Sequence, residues 1–274
     1  KIHCFLYESD LFTSVYIWSF SPLLIAFINF IIFRVRLFKL SKMDRLRKSP
    51  RKKIIRDHLF YFLTLTYLVL PPVTRVQFEA LDCMQVMNKH YVRIDTNIDC
   101  SSPEFIRFVF VDVLLVAIYL SVPLLWYWLL KRKLSRIYPQ KGADSKEVLR
   151  YREIDPGVRP IKFLFDAYKP KYWYFEGIEM LRRIFFVGVL PLMSTKSSRK
   201  AALGLFLSLF SSVFYREVEP FRRPSANTLM QFAHHAIMLT FGMALAINTE
   251  LTNNVSYIVI GVFLLIINAS IILV

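Results

Sequence analysis

Glycine is scarce in this chain, with seven in 274 residues, and cysteine is scarcer still, with three. So little glycine excludes a collagen-like repeat, and three cysteines exclude a disulfide-built scaffold. No GxSxG elbow, Walker loop, HExxH helix or dinucleotide fingerprint occurs, and the isolated histidines assemble no triad. No enzymatic activity, cofactor or metal site is therefore expected. The opening KIHCFLYESDLF lacks the three-part pattern of a secretory signal. Acidic residues are few, 20 against 36 Lys and Arg, which leaves a net charge of +16. That excess alone would suggest a nucleic-acid partner, and the placement of the charges argues against one.

What is present in quantity is apolar: 55% of residues are hydrophobic and 25 are Phe. The apolar residues fall into runs near the length that crosses a bilayer as a helix. Seven such segments are marked at 13–33, 59–75, 106–130, 180–194, 200–215, 228–248 and 255–274. The reading is an all-α polytopic membrane protein, a bundle of about seven transmembrane helices. Only STKSSRK separates the fourth segment from the fifth, so 180–215 reads either as two spans or as one re-entrant hairpin. The chain starts and stops without punctuation, and its last residues are still of membrane type. The expectation is a piece of a longer protein: residues 1–12 end a missing extracellular region, and 13–274 form the transmembrane domain.

Orientation follows from the basic residues. With the N-terminus outside, the links 34–58, 131–171 and 216–223 face the cytosol, and they hold 26 of the 36 Lys and Arg. The first link holds 11 of them. Its Arg47, Lys48, Arg51, Lys52 and Lys53 are candidates to meet anionic inner-leaflet lipids, at up to about 1 kcal/mol each. Topology alone is the plainer account of the same charges. The outer loop 76–105 contains Cys83 and Cys100, and an oxidising compartment favours their pairing. Such a short loop would gain about 3 kcal/mol from the bridge. Cys4 precedes the first span on the same side. The expected location is the plasma membrane, or another membrane with an oxidising outer or luminal side.

Charged and polar groups at membrane depth are the candidate functional residues, because they are costly there unless paired. YWYFEGIEMLRRIFFVGVLPLM (172–193) places Glu176, Glu179, Arg182 and Arg183 at the mouth of an apolar segment. Glu179 lies three residues from Arg182 and four from Arg183, the spacings that share a helix face. Two readings stand. In one, the arginines reach back to lipid phosphates and the acids face the cytosol. In the other, Glu179 pairs with Arg182 or Arg183 and links this helix to a neighbour. Asp112, inside the third segment, either lines a cation path or pairs with Arg107 or Arg75. Gln231 and His235 share a face of the sixth segment, where an interhelical hydrogen bond is the default reading. Pro123 marks a kink, and Pro71–Pro72 a span end.

Several blocks in order resemble a known architecture. They are LTYLVLPPVTRVQFEALDC (65–83), RIDTNIDCSSPEF (93–105), IYLSVPLLWYWLL (118–130), the 172–193 block and FYREVEPFRRPSANTLMQFAHHAIMLTF (214–241). Together they resemble the TRP-like, multi-pass C-terminal region of large protist surface proteins with cysteine-rich repeats, including the apicomplexan cysteine-repeat modular proteins. The resemblance covers most of residues 55–250, and no cysteine-rich repeat lies within this chain. It implies a membrane domain below a large ectodomain, a tetrameric or larger assembly, and a role near regulated secretion.

The leading functional expectation is thus a transmembrane domain of a large cell-surface protein, TRP-like, conducting cations or sensing through an outer domain. The alternative is a non-conducting anchor or assembly scaffold for an adhesive or secretion-related ectodomain. A seven-helix receptor is the third, weakened by the lack of Asp-Arg-Tyr and Asn-Pro-x-x-Tyr patterns. The expected partners are the bilayer, its anionic lipids and further membrane subunits.

Overall fold

A computed structural model describes residues 10–43, 48–138, 150, 152–252 and 256–273. Cys4 and Arg47 lie outside the described residues, as does most of the segment 1–12. The chain divides into two compact units. The first runs to Asp166 and resumes at Pro170–Gly188; the second joins Ala167–Lys169 to Val189–Val274.

The first unit holds α1 (Leu11–Met43), α2 (Lys48–Leu81), a sheet of β1 (Cys83–Val86), β2 (Lys89–Val92) and β3 (Asp95–Asp99), α3 (Pro103–Arg132), the short α4 (Leu134–Ile137) and α5 (Phe175–Ile184). Two 3₁₀ turns, Arg159–Leu164 and Pro170–Tyr172, lie between α4 and α5. The second unit holds α6 (Leu190–Leu192), α7 (Ser197–Val218), α8 (Pro224–Asn248) and α9 (Tyr257–Leu273). A π-helical turn, Phe185–Val189, joins α5 to α6.

Among the described residues, five helices are long and apolar enough to cross a membrane: Leu11–Leu40, Pro50–Leu81, Pro103–Arg132, Ser197–Val218 and Pro224–Asn248. They are compatible with an integral membrane protein. The other two apolar segments of the sequence form shorter helices, one broken by the π turn and the other apolar over Ile258–Ala269. α1 shows why such helices suit lipid. Trp18, Leu24, Ile25, Phe27, Ile28 and Phe30 all stand exposed, so the helix is hydrophobic around most of its circumference. α3 has complete end signals. Ser102 Oγ accepts the Phe105 N–H at 3.2 Å, Pro103 occupies the first turn, and Lys131 and Arg132 sit at the negative end of the dipole.

Two expectations need correction. Pro71–Pro72 do not end a span, because α2 continues through them to Leu81. The prolines remove backbone donors, and Thr74 Oγ1 compensates by donating to the carbonyls of Leu70 at 2.7 Å and Pro71 at 3.1 Å. The fold is also not purely helical. The predicted outer loop 76–105 folds as helix ends around a three-stranded antiparallel sheet in the order β1-β2-β3. A two-residue turn at Met87–Asn88, with Met87 at φ 54°, reverses β1 into β2. Neither turn residue is glycine, so the usual hairpin signature is missing.

The predicted links are also more structured than loops. Most of 34–58 is helix, the end of α1 and the start of α2. The described part of 131–171 is a packed cap in which Ile161, Leu164 and Phe165 are fully buried. Phe163 fixes it edge-on against Phe60 and Tyr67 of α2. Arg152, a residue the sequence did not single out, is 1% exposed. It donates to the Ile137 carbonyl at 2.7 Å and stacks its guanidinium over Phe165.

Candidate functional site

The first unit carries four polar constructions along its length, starting at the sheet. A disulfide joins Cys83 to Cys100 and so ties the start of β1 to the residue after β3, across β2. The closed sheet is fastened at its edge by Arg93, which donates to Asp82 at 2.7 Å. Its underside is apolar. Val92 packs with Ala80 of α2, Val15 of α1, and Phe105 and Phe108 of α3; Leu11, Phe12, Ile98 and both cysteines surround that core. Phe12 stacks on Phe108 with ring centres 4.5 Å apart. The sheet therefore holds the ends of three helices in one hydrophobic contact.

Below this core lies Asp112, which is 0% exposed. Neither carboxylate oxygen has a hydrogen-bond partner among the described residues. It pairs with neither arginine considered for it: Arg75 is bound to Glu79 at 2.7 Å, and Arg107 turns to the Pro103 carbonyl. The Tyr16 hydroxyl of α1 lies within electrostatic reach of it. Two side chains near the same α1 stretch cross-link the helices. Gln77 of α2 donates to Ser19 Oγ at 3.1 Å, and the Tyr119 hydroxyl donates to the Ser19 carbonyl at 2.6 Å. Gln77 Oε1 also lacks a donor among the described residues. Buried acceptors without donors are costly, so this seam is a polar defect in an otherwise apolar contact.

The α5 charges form the third construction. Glu179 is 1% exposed, and Arg182 chelates it through two hydrogen bonds at 3.0 and 2.8 Å. Arg183 adds a third at 2.8 Å. Glu176 is buried as well, and its carboxylate and the Arg183 guanidinium both bear on Tyr67 of α2. The structure thus arranges these four residues as an ion-pair cluster facing α2. The Glu179 carboxylate is turned into this cluster, where it accepts charge-assisted bonds from both arginines. One turn on, Gly188 in the π turn lies flat against the Phe78 ring, where a Cβ would overlap it.

The fourth construction is basic and lies at the end of α2 and α3 away from the sheet. Arg51, Lys52 and Lys53 are exposed on the first turns of α2. Lys48 opens the helix. Lys133 and Arg136 follow α3 and approach the turn Asp155–Gly157. No group of three or more His, Cys, Asp or Glu able to hold a metal occurs among the described residues.

In the second unit, Gln231 of α8 donates to Ser212 Oγ of α7 at 2.7 Å, an interhelical bond. His235 does not join it and stands exposed, while His234 is buried against Tyr215 with ring centres 4.5 Å apart. Gly204 of α7 admits Phe241 of α8 at a distance no Cβ would allow. Asn227 clamps the connecting loop by bonding both the N–H and the carbonyl of Phe221 at 3.0 Å.

No family model matches this chain, and no solved structure matches it. Among known proteins it is similar to cysteine repeat modular protein A of Toxoplasma gondii, 21% identical over 202 residues that cover 68% of this chain. The match spans only 6% of that protein's length. The similarity links the chain loosely to the cysteine-repeat proteins.

Proposed function

We propose that this chain is the multi-pass membrane domain of a large cell-surface protein and that it works as a coupling anchor. The N-terminal end of α1 faces the oxidising side, and the described spans together with the shorter apolar helices make seven crossings. A region preceding α1 delivers force or a ligand-driven displacement to the disulfide-closed sheet, which passes it to α1, α2 and α3. The single observation that supports this most is the apolar core joining Val92 of the sheet to Val15, Ala80, Phe105 and Phe108 on three helix ends. The far greater length of the similar cysteine-repeat protein fits a domain of this kind below a large ectodomain. Its partners are the bilayer, anionic inner-leaflet lipids and other membrane subunits.

Sidedness is tested by single cysteines at Asn97 and Arg51 in a Cys4→Ser chain reconstituted in sealed vesicles. An impermeant maleimide is expected to label one position from outside and the other only after lysis. Equal labelling of both from outside contradicts the orientation.

A second reading, a TRP-like cation-conducting domain, draws on one observation. Asp112 is a buried acid with no hydrogen-bond partner for either carboxylate oxygen among the described residues, and ionisable residues inside spans mark ion pathways. Bilayer recording decides it: cation current abolished by Asp112→Asn supports conduction, and a silent, correctly oriented protein leaves the coupling anchor.

A further inference from the structure

The basic end of the first unit encloses a cavity of about 480 Å³. Five cationic side chains line it: Lys52, Lys53 and Arg56 from α2, and Lys133 and Arg136 from the end of α3 and α4. One carboxylate, Asp155, faces them. That carboxylate is already committed, because Asp155 Oδ1 accepts the Gly157 N–H at 2.7 Å and closes the turn. Lys133 Nζ donates to the Gly157 carbonyl at 2.5 Å. The Arg136 guanidinium lies so close over Gly157 that a Cβ there would overlap it.

The described residues leave these cations in excess. Among the described residues, Lys52, Lys53, Lys133 and Arg136 form no ion pair, and Arg56 has only a long contact of 3.7 Å to its neighbour Asp57. Lys133 shows the cost: burial first, then Arg136, holds its pKa below the ordinary lysine value, and Asp155 offsets this only in part. Like charges converging on a half-enclosed space are relieved by an anion that several of them share. The volume falls in the range of small-ligand sites. The walls are mixed: Ile55, Leu59, Pro156 and Pro160 supply apolar surface beside the cations, and the exposed α2 residues Phe60 and Tyr61 continue it along the helix. An anion attached to acyl chains fits that combination, with its head among the cations and its chains against the shaft.

We propose that this cavity binds a headgroup bearing phosphate monoesters, presented by a lipid of the leaflet opposite the disulfide-closed sheet. The proposal rests on the membrane reading of α1, α2 and α3 and adds a defined ligand to it. It differs from general attraction of a basic loop, because Lys133 and Arg136 come from a separate part of the chain and are brought to Lys52 and Lys53 only by folding.

The test uses the full chain in phosphatidylcholine nanodiscs, with binding measured for dioctanoyl phosphatidylinositol bisphosphate, free inositol trisphosphate and dioctanoyl phosphatidylserine. The bisphosphate lipid is expected to bind at least about tenfold more tightly than phosphatidylserine, a gap of about 1.4 kcal/mol. Lys52→Gln/Lys53→Gln, both on exposed positions, is expected to remove that preference. Arg34→Gln/Arg36→Gln removes the same charge from α1, at residues that do not line the cavity, and is expected to leave it. Free inositol trisphosphate binding as tightly as the lipid supports the site with a soluble phosphate ester as its source. Weaker binding of the free headgroup supports the lipid. Equal affinity for the bisphosphate lipid and phosphatidylserine overturns the proposal, and so does equal loss in the two double variants. An unchanged melting temperature without ligand shows that each variant is folded. Binding here does not depend on coupling through the disulfide-closed sheet, so the two readings fail separately.

Discussion

Glu179→Gln tests the α5 cluster most sharply. The wild-type carboxylate is 1% exposed and accepts three bonds, two from Arg182 and one from Arg183. Breaking a buried ion pair by removing one partner costs about 3–5 kcal/mol. That figure needs a discount here, because the Arg182 side chain is 16% exposed and that of Arg183 is 44% exposed. Water can take over part of the Arg183 interaction, and the glutamine oxygen keeps one acceptor. The expected loss is therefore about 2–3 kcal/mol, with Arg182→Gln costing nearly as much and Arg183→Gln less than about 1 kcal/mol. Denaturation in mixed detergent micelles measures it, and a double-mutant cycle of Glu179→Gln with Arg182→Gln isolates the pair. A coupling energy above about 1 kcal/mol is expected. A neutral Glu179→Gln, or costs that simply add, would refute the cluster as a structural unit and return the arginines to lipid phosphates.

Other perturbations follow from the same geometry. Opening the Cys83–Cys100 bridge, whose cysteines are 17 residues apart, is expected to cost about 3 kcal/mol from loop entropy, read as a lower unfolding midpoint under reducing conditions. Gly204→Ala places a methyl group in the Phe241 ring and is expected to cost about 1–3 kcal/mol, with partial rescue by Phe241→Leu; no rescue would mean the α7–α8 contact is not the cause. Asp112→Asn replaces a buried carboxylate that has no hydrogen-bond partner among the described residues and is expected to raise the melting temperature, and a fall would show that the carboxylate has a stabilising ligand. The lowered pKa of Lys133 means the unfolded chain holds this proton more firmly than the folded one. Its burial cost is therefore present in full at neutral pH, and stability rises between the lowered folded value and the ordinary lysine value. Stability measured from pH 8 to 11 is expected to show that rise in the wild type and to lose it in Lys133→Met.

The sequence carried much of this, and its failures have physical causes. Long apolar runs marked the helices that are long and apolar enough to span, because a helix facing lipid needs little besides length and hydrophobicity. Cys83 and Cys100 were legible as a pair because they share one short segment. The sheet between them was not, since its hairpin turns through Met87–Asn88 without glycine. Pro71–Pro72 read as a stop because the rescue by Thr74 depends on a side-chain bond that spacing alone does not announce. The α5 spacing predicted that Glu179 and its arginines share a face but left open which way that face turns. For Asp112, Arg107 and Arg75 were the expected partners because both fall near the outer edge of their segments, and the packing sends both elsewhere. The basic cavity was half visible in Lys52 and Lys53. Lys133, Arg136 and Gly157 joined it only through the tertiary fold.

Hydrogen exchange on the chain in nanodiscs, with Cys83–Cys100 intact and then reduced, tests the coupling of sheet to helices most directly. Coupling predicts that reduction deprotects the sheet and also residues 11–19 of α1 and 103–112 of α3, which meet it through the shared core. Deprotection confined to residues 83–100, with those helix ends unchanged, would contradict the account.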